Sequence, residues 1–285
     1  MNSILGCLSA LALAALVVVA GCSGEKTVED LRSDAKSAFF DEDYREARDL
    51  LGQGLTKAPS DREMLQLMAR AYRRDFLYDS ALFYLSRLDK LYPNDRVTNQ
   101  QIYEVATELS RPRKAVDAIK VLAESGDGWE DYAAELSYYW DELGYAYNTW
   151  YYANMAIERD SLNQNLYLKG ATAAARMDST RLANDMIDRA VQRFGMGPRL
   201  QAVKATVLAT EGEYLRAEQL LRPLVESDSA LFTYKLSLAH VLASQDSRAK
   251  KQEALALYQD LRGQVPPEVR LDSTITALES QLAGE

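Results

Sequence analysis

The chain has 285 residues, and its 33 Lys and Arg against 42 Asp and Glu give a formal net charge of −9 at pH 7. That balance argues against nucleic acid and anionic lipid headgroups as partners, because both are bound through clustered cations. Two cysteines and one histidine in the whole chain are too few for a disulfide framework or a cysteine-based zinc site.

The first element is apolar. Ile4 to Ala20 carries only Ser9 as a polar residue and ends in Val19-Ala20-Gly21-Cys22, followed by Ser23. A hydrophobic run closed by small residues and a cysteine resembles a bacterial lipoprotein signal peptide. The resemblance implies cleavage after residue 21, lipidation of Cys22 (a palmitate-type anchor of diacylglycerol and a third acyl chain), and residues 22–27 as the lipidated N-terminus and linker. It also implies the periplasmic face of the outer membrane, since Ser23 replaces the aspartate that retains such proteins in the inner membrane. Met1-Asn2-Ser3 offers only the α-amine as positive charge. An uncleaved anchor therefore stays open as the alternative, at the short end of what spans a bilayer. Residues 1–21 contain no Asp, Glu, Lys or Arg, so the whole net charge belongs to residues 22–285.

From there a small residue recurs on a fixed grid. Ala47, Ala81, Ala115, Thr149, Ala183 and Ala217 stand 34 residues apart, and one further step, longer by three, reaches Ala254. Four residues after the grid points come Leu51, Leu85, Ile119, Ala153, Ile187, Leu221 and Tyr258, the i, i+4 stripe of a buried helix face. Twelve residues after come Pro59, Pro93, Asp127, Ser161, Gly195, Ser229 and Pro266, all turn formers. The repeated unit reads helix, tight turn, helix, break. A period of that length is the mark of stacked helical repeats. The small residue lets two antiparallel helices cross closely, where overpacking costs roughly 1–3 kcal/mol.

With Ala69, Tyr72, Ala81 and Pro93 in the second unit, and Ala35, Ala38, Ala47 and Pro59 in the first, the pattern resembles the tetratricopeptide repeat (TPR). The resemblance implies an all-α fold: a right-handed α-α superhelical solenoid of about seven helix pairs over residues 28–267. Residues 268–285 form a C-terminal capping helix, whose apolar Val269, Leu271, Ile275, Leu278 and Leu282 cover the last pair. Two repeats depart from the pattern. The third has Tyr103 where a small residue is usual, and the fourth has Ser137 and Thr149. Irregular packing is expected at both.

A tetratricopeptide stack holds its partners on the face built from the first helix of each repeat. The register places Arg70, Arg73 and Arg74 there in repeat two, and Gln100, Glu104, Thr107 and Glu108 in repeat three. Repeat four contributes Tyr138, Asp141 and Glu142, and repeats five and six contribute Thr172, Arg176, Thr206 and Thr210. The groove is expected to be basic near its start and acidic at its centre, although a merely solvated face reads the same way. The clamp some family members use needs a Lys and an Asn in the first repeat. Arg32 and Lys36 stand at the matching positions, so that ligand does not carry over.

One segment exceeds what a core needs: ten aromatics lie between Trp129 and Tyr152, including all three tryptophans. They read either as filling for an irregular fourth repeat or as a binding surface. His240 reads as a partly exposed helix residue rather than a ligand. Asp41-Glu42-Asp43 lacks the spaced ligands and glycine of a calcium loop. No cofactor, metal or small-molecule substrate is expected. The function expected is a non-catalytic, lipid-anchored scaffold that joins envelope proteins, on the pattern of pilus-secretin, outer-membrane assembly or wall-hydrolase lipoproteins. The alternative is a glycan- or peptidoglycan-binding module using residues 129–152.

Overall fold

The computed structural model describes residues 25–227, 232–265 and 269–284. The apolar leader, Cys22, Ser229 and Pro266 lie outside the described residues. The chain divides into two compact units, one ending at Leu109 and one beginning at Ser110. The first holds α1 (Val28–Phe40), α2 (Tyr44–Lys57), α3 (Arg62–Arg74), α4 (Tyr78–Leu91) and α5 (Arg96–Glu108). The second holds α6 (Pro112–Leu122), α7 (Ala133–Glu142), α8 (Ala146–Arg159), α9 (Gln164–Arg176), α10 (Thr180–Phe194), α11 (Pro198–Thr210), α12 (Tyr214–Ser227), α13 (Phe232–Ala243), α14 (Arg248–Asp260) and α15 (Leu271–Gly284). No strand occurs among the described residues. Within each unit consecutive helices pack on one another, and first helices also pack on first helices, α1 on α3, α7 on α9, α9 on α11 and α11 on α13. The first helices are therefore the inner layer of each unit.

The small-residue grid has a concrete meaning in the fold. All seven grid residues have no exposed surface. In six repeats the grid residue is the fourth of the second helix, and its N–H makes that helix's first bond back four residues, from Ala47 to Asp43 O through Ala217 to Glu213 O. In the seventh, the three extra residues lengthen the front of α14, whose first such bond runs from Lys251 to Ser247 O. The departures in repeat four are absorbed locally. The Thr149 hydroxyl donates to Tyr145 O at 3.0 Å and Ser137 to Ala134 O at 2.7 Å, so neither buried hydroxyl lacks a partner. Repeat three is different. At the other small position, Ala35, Ala69, Ser137, Ala171, Ala205 and Ala239 are all buried, whereas Tyr103 is only half-buried. The boundary between the two units falls in this repeat, between α5 and α6.

A second 34-residue period lies in the backbone. Glu42, Phe76, Ser110, Gly144, Asp178 and Gly212 all take positive φ, from 50° to 81°. Each closes the turn between the helices of a pair. In five of these turns the next residue's N–H reaches back over the helix end, as from Asp43 to Ala38 O and from Leu77 to Tyr72 O, the Schellman closure that satisfies a terminal carbonyl. Only two of the six are glycine, the residue this conformation suits.

The capping helix begins at Leu271 rather than at Glu268. Leu271, Ile275, Leu278 and Leu282 are buried in the same cluster as Leu238, Leu242 and Tyr258. Val269 precedes the helix and is half-buried.

Candidate functional site

Each unit carries one groove lined by its inner helices. In the first, the C-terminal turn of α3, the α3–α4 turn and α5 surround a space of about 370 Å³, lined by Arg73, Arg74, Phe76, Tyr78, Glu104, Val105 and Glu108. Arg73 is ion-paired to Glu104, which also accepts from Gln100 at 3.2 Å. Arg74 and Glu108 are exposed and have no ion-pair partner among the described residues. Arg70 is not in this groove: its guanidinium lies 4.9 Å over the ring of Phe39, against the neighbouring repeat. The sequence register thus brings Arg73, Arg74, Glu104 and Glu108 together. It misses Phe76 and Tyr78, which come from the turn and from the start of α4 rather than from a first helix.

In the second unit, α7, α9 and α11 line a space of about 420 Å³ with Tyr138, Asp141, Asn165, Leu168, Lys169, Thr172 and Arg199. Here the expected acidic centre is corrected. Asp141 is gripped from α9 by Lys169 and Arg176, each at 2.5 Å, and the Lys169 ammonium also lies 4.6 Å over the Tyr138 ring. Arg199 is exposed and has no ion-pair partner among the described residues. Lys169 and Arg199 line the space against the single carboxylate of Asp141, so the lining of this groove carries a net positive charge within an acidic chain. Glu142 is exposed and does not line the space. The paired charges hold Lys169 and Arg176 in fixed positions, while Arg199 keeps its donors for a ligand. Sequence reasoning missed Lys169, Asn165 and Arg199. Asn165 and Arg199 are 34 residues apart, so the grid held the signal for both.

The aromatic segment divides by helix face. Tyr138 reaches the groove, but its ring partner there is Lys169 rather than an aromatic patch. Tyr138, Trp150 and Tyr152 also pack against the core of the second unit, and Trp129 lies against Tyr152 at 6.2 Å. Tyr147 and Tyr151, on α8 and so away from the inner layer, are exposed and stacked 6.2 Å apart with planes 20° from parallel. The segment is thus partly core and partly surface.

His240 is exposed on α13, with its ring edge-on to Tyr258 at 5.5 Å. Among the described residues no group of three or more His, Cys, Asp or Glu is placed to hold a metal ion, and no helix is long and apolar enough to cross a membrane.

No protein-family model matches the sequence, and no curated protein matches it. Solved structures do. A tetratricopeptide repeat protein from Parabacteroides merdae ATCC 43184 is similar over 88% of this chain and 98% of its own, at 11% identity and a TM-score of 0.53. YrrB, described as a TPR protein with an unusual peptide-binding site, is similar over 62% of this chain and 92% of its own, at 12% identity and a TM-score of 0.45. At 11% identity the likeness to the Parabacteroides merdae protein shows the fold alone: an all-α tetratricopeptide-type stack of helix pairs.

Proposed function

We infer that the chain is a non-catalytic scaffold that holds segments of partner proteins in its two inner grooves, and that it does so tethered through lipid on Cys22 in a bacterial envelope, on the periplasmic face of the outer membrane. The observation that carries the binding role is the groove of the second unit, where three successive inner helices present Tyr138, Lys169 and Arg199 to one space and neighbouring ion pairs fix the lysine. Side chains preorganised in this way lose little entropy on binding. The anchoring role rests on the apolar run ending in Val19-Ala20-Gly21-Cys22; two or more acyl chains suffice for a stable hold.

Two results are expected. Mass spectrometry of the mature N-terminus finds an acylated Cys22, and Cys22→Ala moves the protein into the soluble fraction. A chain that starts at unmodified Met1 removes the anchoring role. Crosslinking in cells followed by purification recovers one or more envelope proteins. Arg199→Ala and Tyr138→Ala each weaken recovery of the main partner, the aromatic change by roughly thirtyfold, as expected for an anchor worth at least about 2 kcal/mol. Arg199 is exposed and has no ion-pair partner among the described residues, so its variant is expected to keep wild-type helix content. An unchanged partner set in both variants moves the binding surface elsewhere.

The stacked, exposed Tyr147 and Tyr151 favour a second reading, a flat platform on which sugar rings pack. Co-sedimentation with purified peptidoglycan that is lost in Tyr147→Ala/Tyr151→Ala supports that reading over the protein scaffold.

A further inference from the structure

The turn between α3 and α4 contains a strained residue that stays largely exposed, its ring edge-on to Tyr78 at 6.2 Å. Phe76 has φ 58°, a left-handed conformation that is costly for a bulky side chain, and its ring is 76% exposed. The equivalent turn positions Gly144 and Gly212 show that glycine closes the same turn without that cost. A strained residue that buries so little in its own chain points to a contact outside it. Its neighbour Leu77 is also exposed, and Phe40, at the end of α1 beside the preceding turn, is 77% exposed. The helices beside the two turns are bridged. Arg48, in the first turn of α2, is ion-paired to Asp75 at the end of α3, and its guanidinium lies 5.0 Å over Tyr72.

The border of this apolar edge is acidic. Asp41, Glu42 and Asp43 follow Phe40 directly and are all exposed, with no ion-pair partner among the described residues. Over residues 40–46 and 73–79 together, carboxylates exceed basic groups by three. An anionic bilayer or a second copy of this edge would bring like charges together.

We propose that the edge formed by Phe40, Phe76 and Leu77 is a docking surface for a basic, amphipathic segment of another protein. Its apolar residues seat on the two phenylalanines and the leucine, and its lysines or arginines lie over Asp41, Glu42 and Asp43. The surface shares Phe76 with the groove of the first unit and extends it to Phe40, Leu77 and the acidic run, so the proposal rests on the binding role given to that groove.

The test uses the full chain and two synthetic 18-residue helical peptides of one apolar pattern, one with Lys at every polar position and one with Glu. The Lys peptide is expected to bind and the Glu peptide not. Phe40→Ser/Phe76→Gly leaves every charge in place, so purely electrostatic attraction to an acidic protein is the same in the variant. The variant's dissociation constant for the Lys peptide is expected to rise at least tenfold. Phe76→Gly alone is expected to have a thermal midpoint equal to or above wild type, which separates lost binding from lost folding. Asp41→Asn/Glu42→Gln is expected to flatten the salt dependence of binding. Equal binding of the Lys peptide to wild type and the double variant overturns the proposal. So does equal binding of the two peptides, or concentration-dependent self-association that Phe76→Gly abolishes, which would give the edge to a second copy.

Discussion

Replacing Ala217 with phenylalanine is expected to destabilise the second unit by about 1–3 kcal/mol, and Ala81→Phe the first unit by a similar amount. Ala217 has no exposed surface and lies in one cluster with Ala205, Leu208 and Leu221, all buried. It sits where α11 and α12 cross, three residues into α12. A ring there must take an off-rotamer position or push the helix backbones apart, because interiors packed to crystal density have no spare volume. The matched control is Glu213→Phe, four residues earlier. Its side chain is half exposed, and its nearest ionic contact, Arg216, is 3.9 Å away, so the change should stay within about 0.5 kcal/mol. Urea unfolding followed by helical circular dichroism reads both. Equal losses in the two variants would mean that the close crossing is not at the grid residue.

The second large effect is expected at Glu218, where α12 meets α14. This carboxylate is almost fully buried and accepts from Arg222 at 2.7 Å, from Gln245 at 2.8 Å and from Lys250. Arg222 in turn grips both oxygens of Glu253 at 2.8 and 2.9 Å. Burial alone would push the Glu218 carboxyl up. Hydrogen bonds from Lys250, Gln245 and Arg222, together with the guanidinium charge, outweigh it and hold the pKa at about 2, from an ordinary 4.5. A carboxyl whose folded pKa is depressed stabilises the fold above its unfolded pKa, and the contribution disappears as pH falls through the folded value. At about 1.4 kcal/mol per unit the contribution is on the order of 3–4 kcal/mol at neutral pH. Glu218→Gln is therefore expected to cost about that much at pH 7. The gap to wild type should narrow steadily from pH 4.5 toward pH 2, measured by urea unfolding at each pH. A gap that stays constant with pH would show that the loss is one of shape rather than charge.

The sequence announced helix pairs, their period and the cap because these depend on steric size at single positions, and size is legible residue by residue. Ala47 through Ala254 had to be small, and all proved fully buried. The left-handed turn positions share the same period but were not legible, since Glu42, Phe76, Ser110 and Asp178 carry no glycine signal. Groove polarity failed for another reason. Asp141 and Glu142 read as an acidic centre while their partners were unknown. Lys169 and Arg176 reach Asp141 from the next repeat, and a pairing between helices 28 and 35 residues apart leaves no local trace. The aromatic segment resisted assignment because a helix in a stack has both a packed and a free face. Tyr147 and Tyr152 share α8, yet one is exposed and the other packs on the core.

The ion pairs between neighbouring repeats also act as a numbering system. Helix pairs built on one backbone plan are interchangeable in shape, so nothing in their outline says which pair follows which. Arg32 with Asp61, Arg62 with Asp95, Lys169 with Asp141, Arg189 with Glu158 and Arg222 with Glu253 differ from joint to joint and make each pair fit only its own successor. If the chain lost 34 residues at the fifth repeat, the helices and turns would close up in register. Asp141 would then face Val203 and Thr210, the residues one period beyond Lys169 and Arg176, and would lose both of its ion pairs. Whole-repeat gain or loss, the cheapest change open to a periodic protein, is thereby penalised at the seam, and the order of the repeats is protected by charge where shape alone would permit shuffling.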